Sequence, residues 1–344
     1  MKRTPLIVLA ATGLALSLAL EWLHVRAYLA PSASAFCAVG KKLDCTSVAL
    51  SRYAVILGVP VPLWGALGFI AILVAALRRS RWLVPLAGAA AVASLALLVL
   101  EIVAIGSLCL LCEAVHLVSF ALFGLAWRER AKLSPGLGSR DDVLSIFAPP
   151  LGVLVALALF VPRYWVVFGW KGDVPFAQGK TTEGYPWLGA ENPQITLHEF
   201  TDYQCPHCRV ASGRSLKRLA EHPTLRLVRR QFPRVRCRAG MDNLCQGVRI
   251  AYCAQEQGKF WQADRWLFQH AAEQARLDLG QAAGDIGLDF DKLRACVTRS
   301  DVYERAVAES ELAKKKRFPG TPYYVVGDHR ASEDGLSKLL EAAP

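Results

Sequence analysis

Residues 107–120 read SLCLLCEAVHLVSF and place Cys109 and Cys112 three positions apart inside a strongly apolar run. Leucine fills apolar space as well as cysteine does, so packing alone does not explain two thiols there. Five apolar runs in all cover residues 5–23, 63–77, 82–105, 109–127 and 146–168. Each is close to the roughly 20 residues that a membrane helix needs. The sequence therefore predicts a membrane α-helical bundle with a four-helix core plus a fifth span.

Basic residues set the orientation of these spans. The formal net charge of +11 would suit nucleic-acid binding, but the lysines and arginines are concentrated at alternate span junctions. The clusters are Lys2 and Arg3, then Arg78, Arg79 and Arg81, then Arg128, Arg130, Lys132 and Arg140. The positive-inside rule places all three on the cytoplasmic side. We therefore expect a cytoplasmic N-terminus and no nucleic-acid partner, with the loop of Cys37 and Cys45, the turn 106–108 and everything after Phe168 outside.

The N-terminus has a second interpretation. The letters ASA at 33–35 resemble a signal-peptidase site, so residues 1–35 are alternatively a cleaved signal peptide. The polar stretch EWLHVRAYLAPS before that site is long for such a peptide. The orientation of the remaining spans is the same under both interpretations.

The second half of the chain has a different pattern. Residues 169–193 are rich in Gly, Pro and polar side chains, which is typical of a linker. QITLHEF, LRLVRRQF and TPYYVVGDHR predict strands, with a helix after the first, a long helical stretch over about 240–316 and a final helix. This order predicts an α/β thioredoxin-like domain with a helical insertion. The predicted domains are the membrane domain 1–130, a cytoplasmic loop and fifth span 131–168, the linker 169–193 and the thioredoxin-like domain 194–344.

The motif CPHC at 205–208 carries the chemistry of this domain. Cys205 is predicted at the start of a helix, where free N–H groups favour a thiolate, and Pro206 suits the first helical position. His207 adds to that effect, and Cys208 lies one turn further on. The alternative, half of a zinc site, needs two more ligands. GTP at 320–322 favours redox use, because thioredoxin-type domains place a cis-proline beside the dithiol, which here would be Pro322 after Thr321; an ordinary turn proline is the alternative.

Four more cysteines in this half are interpreted as structural. They are Cys237, Cys245, Cys253 and Cys296. Of three possible connectivities, pairing within each couple, Cys237 with Cys245 and Cys253 with Cys296, is preferred. The ten cysteines of the chain favour an oxidising compartment.

This topology suggests a redox role for the two membrane cysteines. Cys109 and Cys112 are predicted at the outer end of the fourth span, near water and open to lipid, where a lipid-soluble electron acceptor meets a dithiol. Cys37 and Cys45, eight apart in the outer loop, would reach them by thiol–disulfide exchange. A structural loop bridge with two inert membrane thiols is the alternative.

Two family resemblances rest on these motifs. CAVGKKLDC, then Ser51, then CLLC resembles the vitamin K epoxide reductase family over about residues 1–130. ITLHEFTDYQCPHC, QGKFW and GTP make residues 190–344 similar to a DsbA-type thioredoxin domain. The combination is similar to known bacterial fusions of the two.

The resemblance implies a quinone-linked system, without metal, that forms disulfides in exported proteins at the bacterial inner membrane. It implies that Cys45 exchanges with Cys109, that Cys112 faces quinone, and that Cys37 exchanges with Cys205. Tyr53 and His116 lie at positions where that family carries quinone-contacting groups, although histidine is less familiar there. Ser51 is the third residue expected to contact the quinone. The alternatives are a tethered disulfide isomerase or reductase with reversed electron flow, and a non-enzymatic peptide-binding chaperone. Glu101, Glu113 and His116 are ionisable within spans, which suggests proton transfer to the reduced quinone; helix-end solvation is the alternative for Glu101 and Glu113.

Overall fold

The computed structural model describes residues 3–29, 38–39, 43–132, 140–160, 163–167, 174–233, 245–270 and 277–341. The chain divides into two compact units, Met1–Trp165 and Val166–Pro344.

Apolar helices build the first unit. They are α1 (Arg3–Leu29), the short α2 (Cys45–Ala49), α3 (Val61–Arg78), α4 (Leu83–Leu100), α5 (Leu110–Arg128) and α6 (Arg140–Phe160). Helix α1 packs on α3 and α5, α4 packs on α5, and α3 packs on α6. Gly13 of α1 makes close packing possible, because a Cβ there would lie 2.2 Å from the Phe69 ring.

Four stretches of helix are long and apolar enough to cross a membrane: Thr4–Leu29, Val61–Arg78, Leu83–Ile105 and Leu110–Arg128. Their outer faces carry large apolar side chains such as Val92, Val103 and Leu117, each at least 70% exposed. Such faces are stable against lipid rather than water. The predicted four-helix membrane core is confirmed.

The predicted fifth span has different bounds. Helix α6 begins at Arg140 rather than Ile146, and its apolar part, Val143–Leu157, is shorter than the other four spans. The predicted end at Phe168 is wrong, because residues 163–167 are not helical. Tyr164 is held there by polar partners: its hydroxyl donates to Glu21 Oε1 at 2.6 Å and lies 2.7 Å from His24 Nδ1.

Short strands connect these helices. They are β1 (Ala38–Val39), β2 (Leu43–Asp44), β3 (Val55–Ile56) and β4 (Val59–Pro60), paired antiparallel as β1–β2 and β3–β4.

A six-stranded sheet organises the second unit. Its strands are β5 (Gln178–Lys180), β6 (Pro186–Gly189), β7 (Ile195–Thr201), β8 (Leu225–Gln231), β9 (Tyr323–Val326) and β10 (His329–Ser332), in the order β10-β9-β7-β8-β6-β5. Strands β7 and β8 are parallel and every other neighbouring pair is antiparallel. The predicted α/β thioredoxin-like fold is confirmed.

The helices of the second unit follow the predicted order. They are α7 (Pro206–Glu221), α8 (Gln246–Glu256), α9 (Phe260–His270), α10 (Leu279–Ile286), α11 (Phe290–Val297), α12 (Ser300–Lys315) and α13 (Leu336–Glu341). Within its described residues, the stretch predicted as one long helical region thus contains five separate helices, α8 to α12. Leu197 and Leu227 of the sheet share a buried core with Phe268 and Leu293 of these helices.

The predicted linker is wrong for residues 178–189, which form β5 and β6. Leu188 is fully buried, and the Trp261 indole N–H donates to the Trp187 carbonyl oxygen at 3.2 Å. Gly189 has a φ of +109°, and a Cβ there would lie 2.4 Å from the Leu225 carbonyl oxygen. The glycine that suggested a linker is required by close strand packing.

Candidate functional site

The CPHC motif lies where β7 passes into α7. Cys205 is the N-cap residue of α7, and Pro206 is its first helical residue. The turn is fixed by two hydrogen bonds, from Cys205 N to the Asp202 carbonyl oxygen at 3.0 Å and from Gln204 N to Asp202 Oδ1 at 2.9 Å. Cys205 therefore faces the free N–H groups and positive end of the helix, which stabilise a thiolate.

The two thiols have different surroundings. The Cys205 Sγ contacts the Thr321 carbonyl oxygen at 3.5 Å, and the Thr321–Pro322 peptide bond is cis. Cys208 is completely buried and its Sγ accepts the Asp202 N–H at 3.5 Å. Burial, then the hydrogen bond that the Cys208 thiol makes with Cys205, raises the pKa of Cys208 well above its ordinary value. His207, between them in the chain, is half-buried. Neither cysteine is disulfide-bonded, and both are buried.

A buried charged cluster extends from the strand before CPHC. Glu199 and Arg229 are opposite each other on β7 and β8, with 2.8 Å between Glu199 Oε1 and Arg229 Nη1. Arg229 Nη2 also lies 3.1 Å from Asp264 Oδ2, and that carboxylate accepts the Tyr203 hydroxyl at 2.9 Å. Burial raises the pKa of both carboxyl groups, while Arg229 acts in the opposite direction. Sequence reasoning missed this cluster; its signal was the charged residues Glu199 and Arg229 inside two predicted strands.

The membrane cysteines begin a helix in the same way. Cys109 is the N-cap residue of α5, and its sulfur accepts the Cys112 N–H at 3.4 Å. Both are free thiols; Cys109 is buried and Cys112 is half-buried. The Cys109 N–H donates to Glu101 Oε2 at 2.9 Å.

Strand β2 brings Cys45 to this helix start. Leu43 forms a parallel bridge with Leu108, and the Asp44 N–H donates to the Leu108 carbonyl oxygen at 3.0 Å. Asp44 also caps α2 by accepting the Thr46 and Ser47 N–H groups at 3.0 and 3.1 Å. Cys45, the first residue of α2, is fully buried and disulfide-bonded.

A cavity of about 680 Å³ opens beside these cysteines. Apolar side chains form most of its wall, and Cys45, Cys109 and Cys112 line it together with three residues singled out by sequence, Ser51, Tyr53 and His116. Ser51 Oγ and both ring nitrogens of His116 are buried without a hydrogen-bond partner within the described part of the chain. Unpaired polar atoms in an apolar cavity favour a ligand that has hydrogen-bonding groups on an apolar body.

Three of the remaining cysteines, Cys245, Cys253 and Cys296, are among the described residues. Cys253 of α8 and Cys296 of α11 form a disulfide with a Cα–Cα distance of 5.7 Å. Cys245 is disulfide-bonded. Cys37 and Cys237 lie outside the described residues, so the predicted pairing of Cys237 with Cys245 stays a prediction. Among the residues that the structure describes, there is no group of three or more His, Cys, Asp and Glu side chains that could hold a metal ion.

Comparison with known families assigns each unit. Residues 4–127 match the model of the Vitamin K epoxide reductase family, and residues 181–342 match that of Thioredoxin. The match to 4–127 contains Cys45, Cys109 and Cys112, and the match to 181–342 contains Cys205 and Cys208.

Individual proteins are more distantly similar. A thioredoxin-like oxidoreductase from Silicibacter pomeroyi is 28% identical, with a TM-score of 0.39 over 46% of this chain and 91% of that one. MdbA, a thiol-disulfide oxidoreductase from Corynebacterium diphtheriae, is 20% identical, with a TM-score of 0.41 over 51% of this chain and 96% of that one. A Na(+)/H(+) antiporter, NhaA 3 of Salinispora tropica, is 26% identical over 45% of this chain and 23% of its own length. The chain spans about a quarter to a third of the curated relatives that it matches.

Proposed function

Since residues 4–127 match the vitamin K epoxide reductase family and residues 181–342 match the Thioredoxin family, we propose that the chain is a thiol–disulfide oxidoreductase with a membrane domain. It forms disulfides in exported proteins at the expense of quinone. Electrons pass from a substrate dithiol to Cys205–Cys208, then to Cys37–Cys45, then to Cys109–Cys112, and finally to quinone. Each exchange converts one disulfide to a dithiol and one dithiol to a disulfide, so electrons and protons balance.

The observation that carries this proposal is the pairing of β2 with Leu108. It places Cys45 and Cys109 directly after two hydrogen-bonded residues, at the wall of one cavity. Cys109 caps α5, so the partial positive charge at the helix start stabilises it as a leaving thiolate. Cys112 is one turn further along the same wall, which suits it to face the electron acceptor.

The cavity residues fit a quinone. An apolar ring with two carbonyl oxygens matches apolar walls that also present Ser51 Oγ, the Tyr53 side chain and the His116 ring. Ser51 and His116 would hold the carbonyl oxygens and Tyr53 the ring. When bound, quinone supplies a two-electron, two-proton acceptor that the lipid phase replenishes.

In the thioredoxin domain, the buried and neutral Cys208 resolves mixed disulfides that form at Cys205. His207 supports the Cys205 thiolate, and the Thr321 carbonyl oxygen beside Pro322 orients the sulfur. Cys253–Cys296, with Cys245 and Cys237, has a structural role in this proposal.

The basic clusters support an inner-membrane orientation. In this proposal the N-terminus lies in the cytoplasm and the redox cysteines lie on the periplasmic side, where exported proteins acquire disulfides. The partners are these proteins, the quinone pool and the bilayer. The second candidate is a membrane-tethered isomerase or reductase, in which electrons pass through the same cysteine pairs in the opposite direction from a different electron source. A peptide-binding chaperone would not need the dithiols.

The test uses the purified full-length protein with a reduced peptide dithiol and a soluble quinone. Quinone absorbance is expected to fall in step with peptide thiols, one quinone for each disulfide. A Cys205→Ser variant is the matched control: it should lose the reaction with peptide but still consume quinone when a small dithiol is supplied. Reduction of peptide disulfides at the expense of quinol would overturn the proposal in favour of the second candidate.

A further inference from the structure

Glu101 is a buried carboxylate that the exchange steps above do not use. It is 3% exposed and lies on the wall of the cavity. The end of α4 changes there from α-helix to a single π turn, Glu101–Ile105, closed by a hydrogen bond from Gly106 N to the Glu101 carbonyl oxygen at 2.8 Å. A π turn rotates the residues that it contains relative to a regular helix and is frequent at functional sites.

This rotation brings one carboxylate into contact with both membrane cysteines. Glu101 Oε2 accepts the Cys109 N–H at 2.9 Å. The Glu101 carboxylate also interacts electrostatically with the Cys112 side chain, and both residues line the same cavity. A carboxylate beside a thiol can act on it as a general base, directly or through one water.

The surroundings favour a proton transfer within this contact. Two negative charges side by side in an apolar cavity are strongly unfavourable. Transfer of the Cys112 proton to Glu101 creates a thiolate without a second charge, because the carboxylate becomes neutral. The titratable side chains that line the cavity with Glu101 and the two cysteines are His24 on α1, Tyr53, and His116 on α5. Glu113 on α5 also interacts with Glu101 electrostatically.

We propose that Glu101 is the general base of the membrane dithiol and takes the proton from Cys112 when the pair is oxidised. The Cys109–Cys112 disulfide then forms as two electrons leave the two sulfurs. The proton held by Glu101 and the proton of Cys109 leave with those electrons, and Glu101 returns to its carboxylate. The inference rests on the proposed function for the acceptor, quinone, which takes both electrons and both protons.

The first test needs no quinone. In a full-length Cys109→Ser background, where serine keeps an oxygen acceptor at the helix cap, the alkylation rate of Cys112 is measured by peptide mass spectrometry as pH is raised. A thiol and a carboxyl group that share one proton titrate in two macroscopic steps. We expect two steps in this background, one step after adding Glu101→Gln, and two steps after adding Glu113→Gln, the matched control on α5. A single step in the background protein would overturn the inference, and this holds even if the Glu101→Gln protein does not fold.

The second test measures quinone reduction by the pre-reduced membrane pair in one turnover. Glutamine still accepts the Cys109 N–H, so Glu101→Gln removes the base while keeping the hydrogen bond. We expect about a 100-fold slower turnover at pH 7, the typical contribution of a general base, and recovery as pH rises. A Glu101→Gln rate within a few-fold of the unmodified rate would overturn the inference alone. An unmodified protein that does not reduce quinone would overturn the proposed function, while the alkylation profile still decides the role of Glu101.

Discussion

Asp44 donates its backbone N–H to the carbonyl oxygen of Leu108 across 3.0 Å, and a cysteine follows each of these residues directly. Two segments 64 residues apart, counted from Asp44 to Leu108, are thereby locked together. The hydrogen bond places the loop cysteine Cys45 at the helix start that Cys109 caps, so the geometry favours exchange between Cys45 and Cys109 over exchange between Cys45 and Cys112.

This geometry predicts which intermediate can be trapped. A Cys112→Ser change removes the thiol that resolves a mixed disulfide on Cys109, so a Cys45–Cys109 bond is expected to accumulate. Peptide mapping under non-reducing conditions measures it. The control is Cys109→Ser, which should not yield a Cys45–Cys112 bond in comparable amount. Detection of Cys45–Cys112 as the main species would reverse the assignment.

The loop pair is expected to be obligatory for the thioredoxin domain only. Cys45→Ala removes the exchange partner of Cys109, so Cys205–Cys208 should stay reduced after reaction with peptide. A small dithiol, which diffuses into the membrane site directly, should still drive quinone consumption. Trapping free thiols with a maleimide at timed intervals measures the redox state of Cys205–Cys208, and quinone absorbance measures quinone consumption. Re-oxidation of Cys205–Cys208 at the unmodified rate would show that the loop is bypassed.

The parts predicted from sequence are those that a local pattern specifies. The four long spans follow from apolar runs, and the α7 start follows from Cys205 preceding Pro206. Strands β5 and β6 were missed because they are short and glycine-containing, and are stabilised by partners distant in sequence, such as Val228 opposite Trp187. The contact of Glu101 with the dithiol was also missed, because EIVAIG continues an apolar helical pattern and gives no local sign of a π turn.

Glu333 is expected to make the thioredoxin domain acid-sensitive. Its carboxylate binds Arg214 and Arg218 of α7, each at 2.9 Å, and accepts the Tyr324 hydroxyl. Burial alone would raise the pKa of Glu333, but these partners outweigh it and hold the pKa below its ordinary 4.5. A lowered folded-state pKa means that the stabilisation is present above the unfolded-state pKa and is lost as pH falls through the folded-state pKa.

A Glu333→Gln change should therefore lower the free energy of unfolding by roughly 2 kcal/mol at pH 7, as is typical for hydrogen bonds to a charged group. The difference from the unmodified protein should shrink as pH falls below 4.5, and it should disappear once pH has passed through the lowered folded-state pKa. Pulse proteolysis of the full chain in urea measures it. The control is Glu311→Gln, because the Glu311 side chain is 64% exposed and pairs with Lys314 at the surface. This change should alter the free energy of unfolding by less than about 0.5 kcal/mol. A pH-independent difference between the proteins would contradict the ion-pair explanation.

The two thiols of CPHC are expected to react unequally. Cys208 is completely buried, and burial together with the hydrogen bond that its thiol makes with Cys205 raises its pKa, so it stays a protonated and shielded thiol at pH 7. Cys205 caps α7, where the free N–H groups favour its thiolate. Iodoacetamide added to the reduced full-length protein should label Cys205 at least about tenfold faster than Cys208, because the thiolate is the reactive form. In a Cys205→Ser variant, Cys208 should remain slow, since its burial is unchanged. Mass spectrometry measures the modification at each of the two positions. Equal labelling of both cysteines would contradict the roles of Cys205 as the attacking thiolate and Cys208 as the resolving thiol.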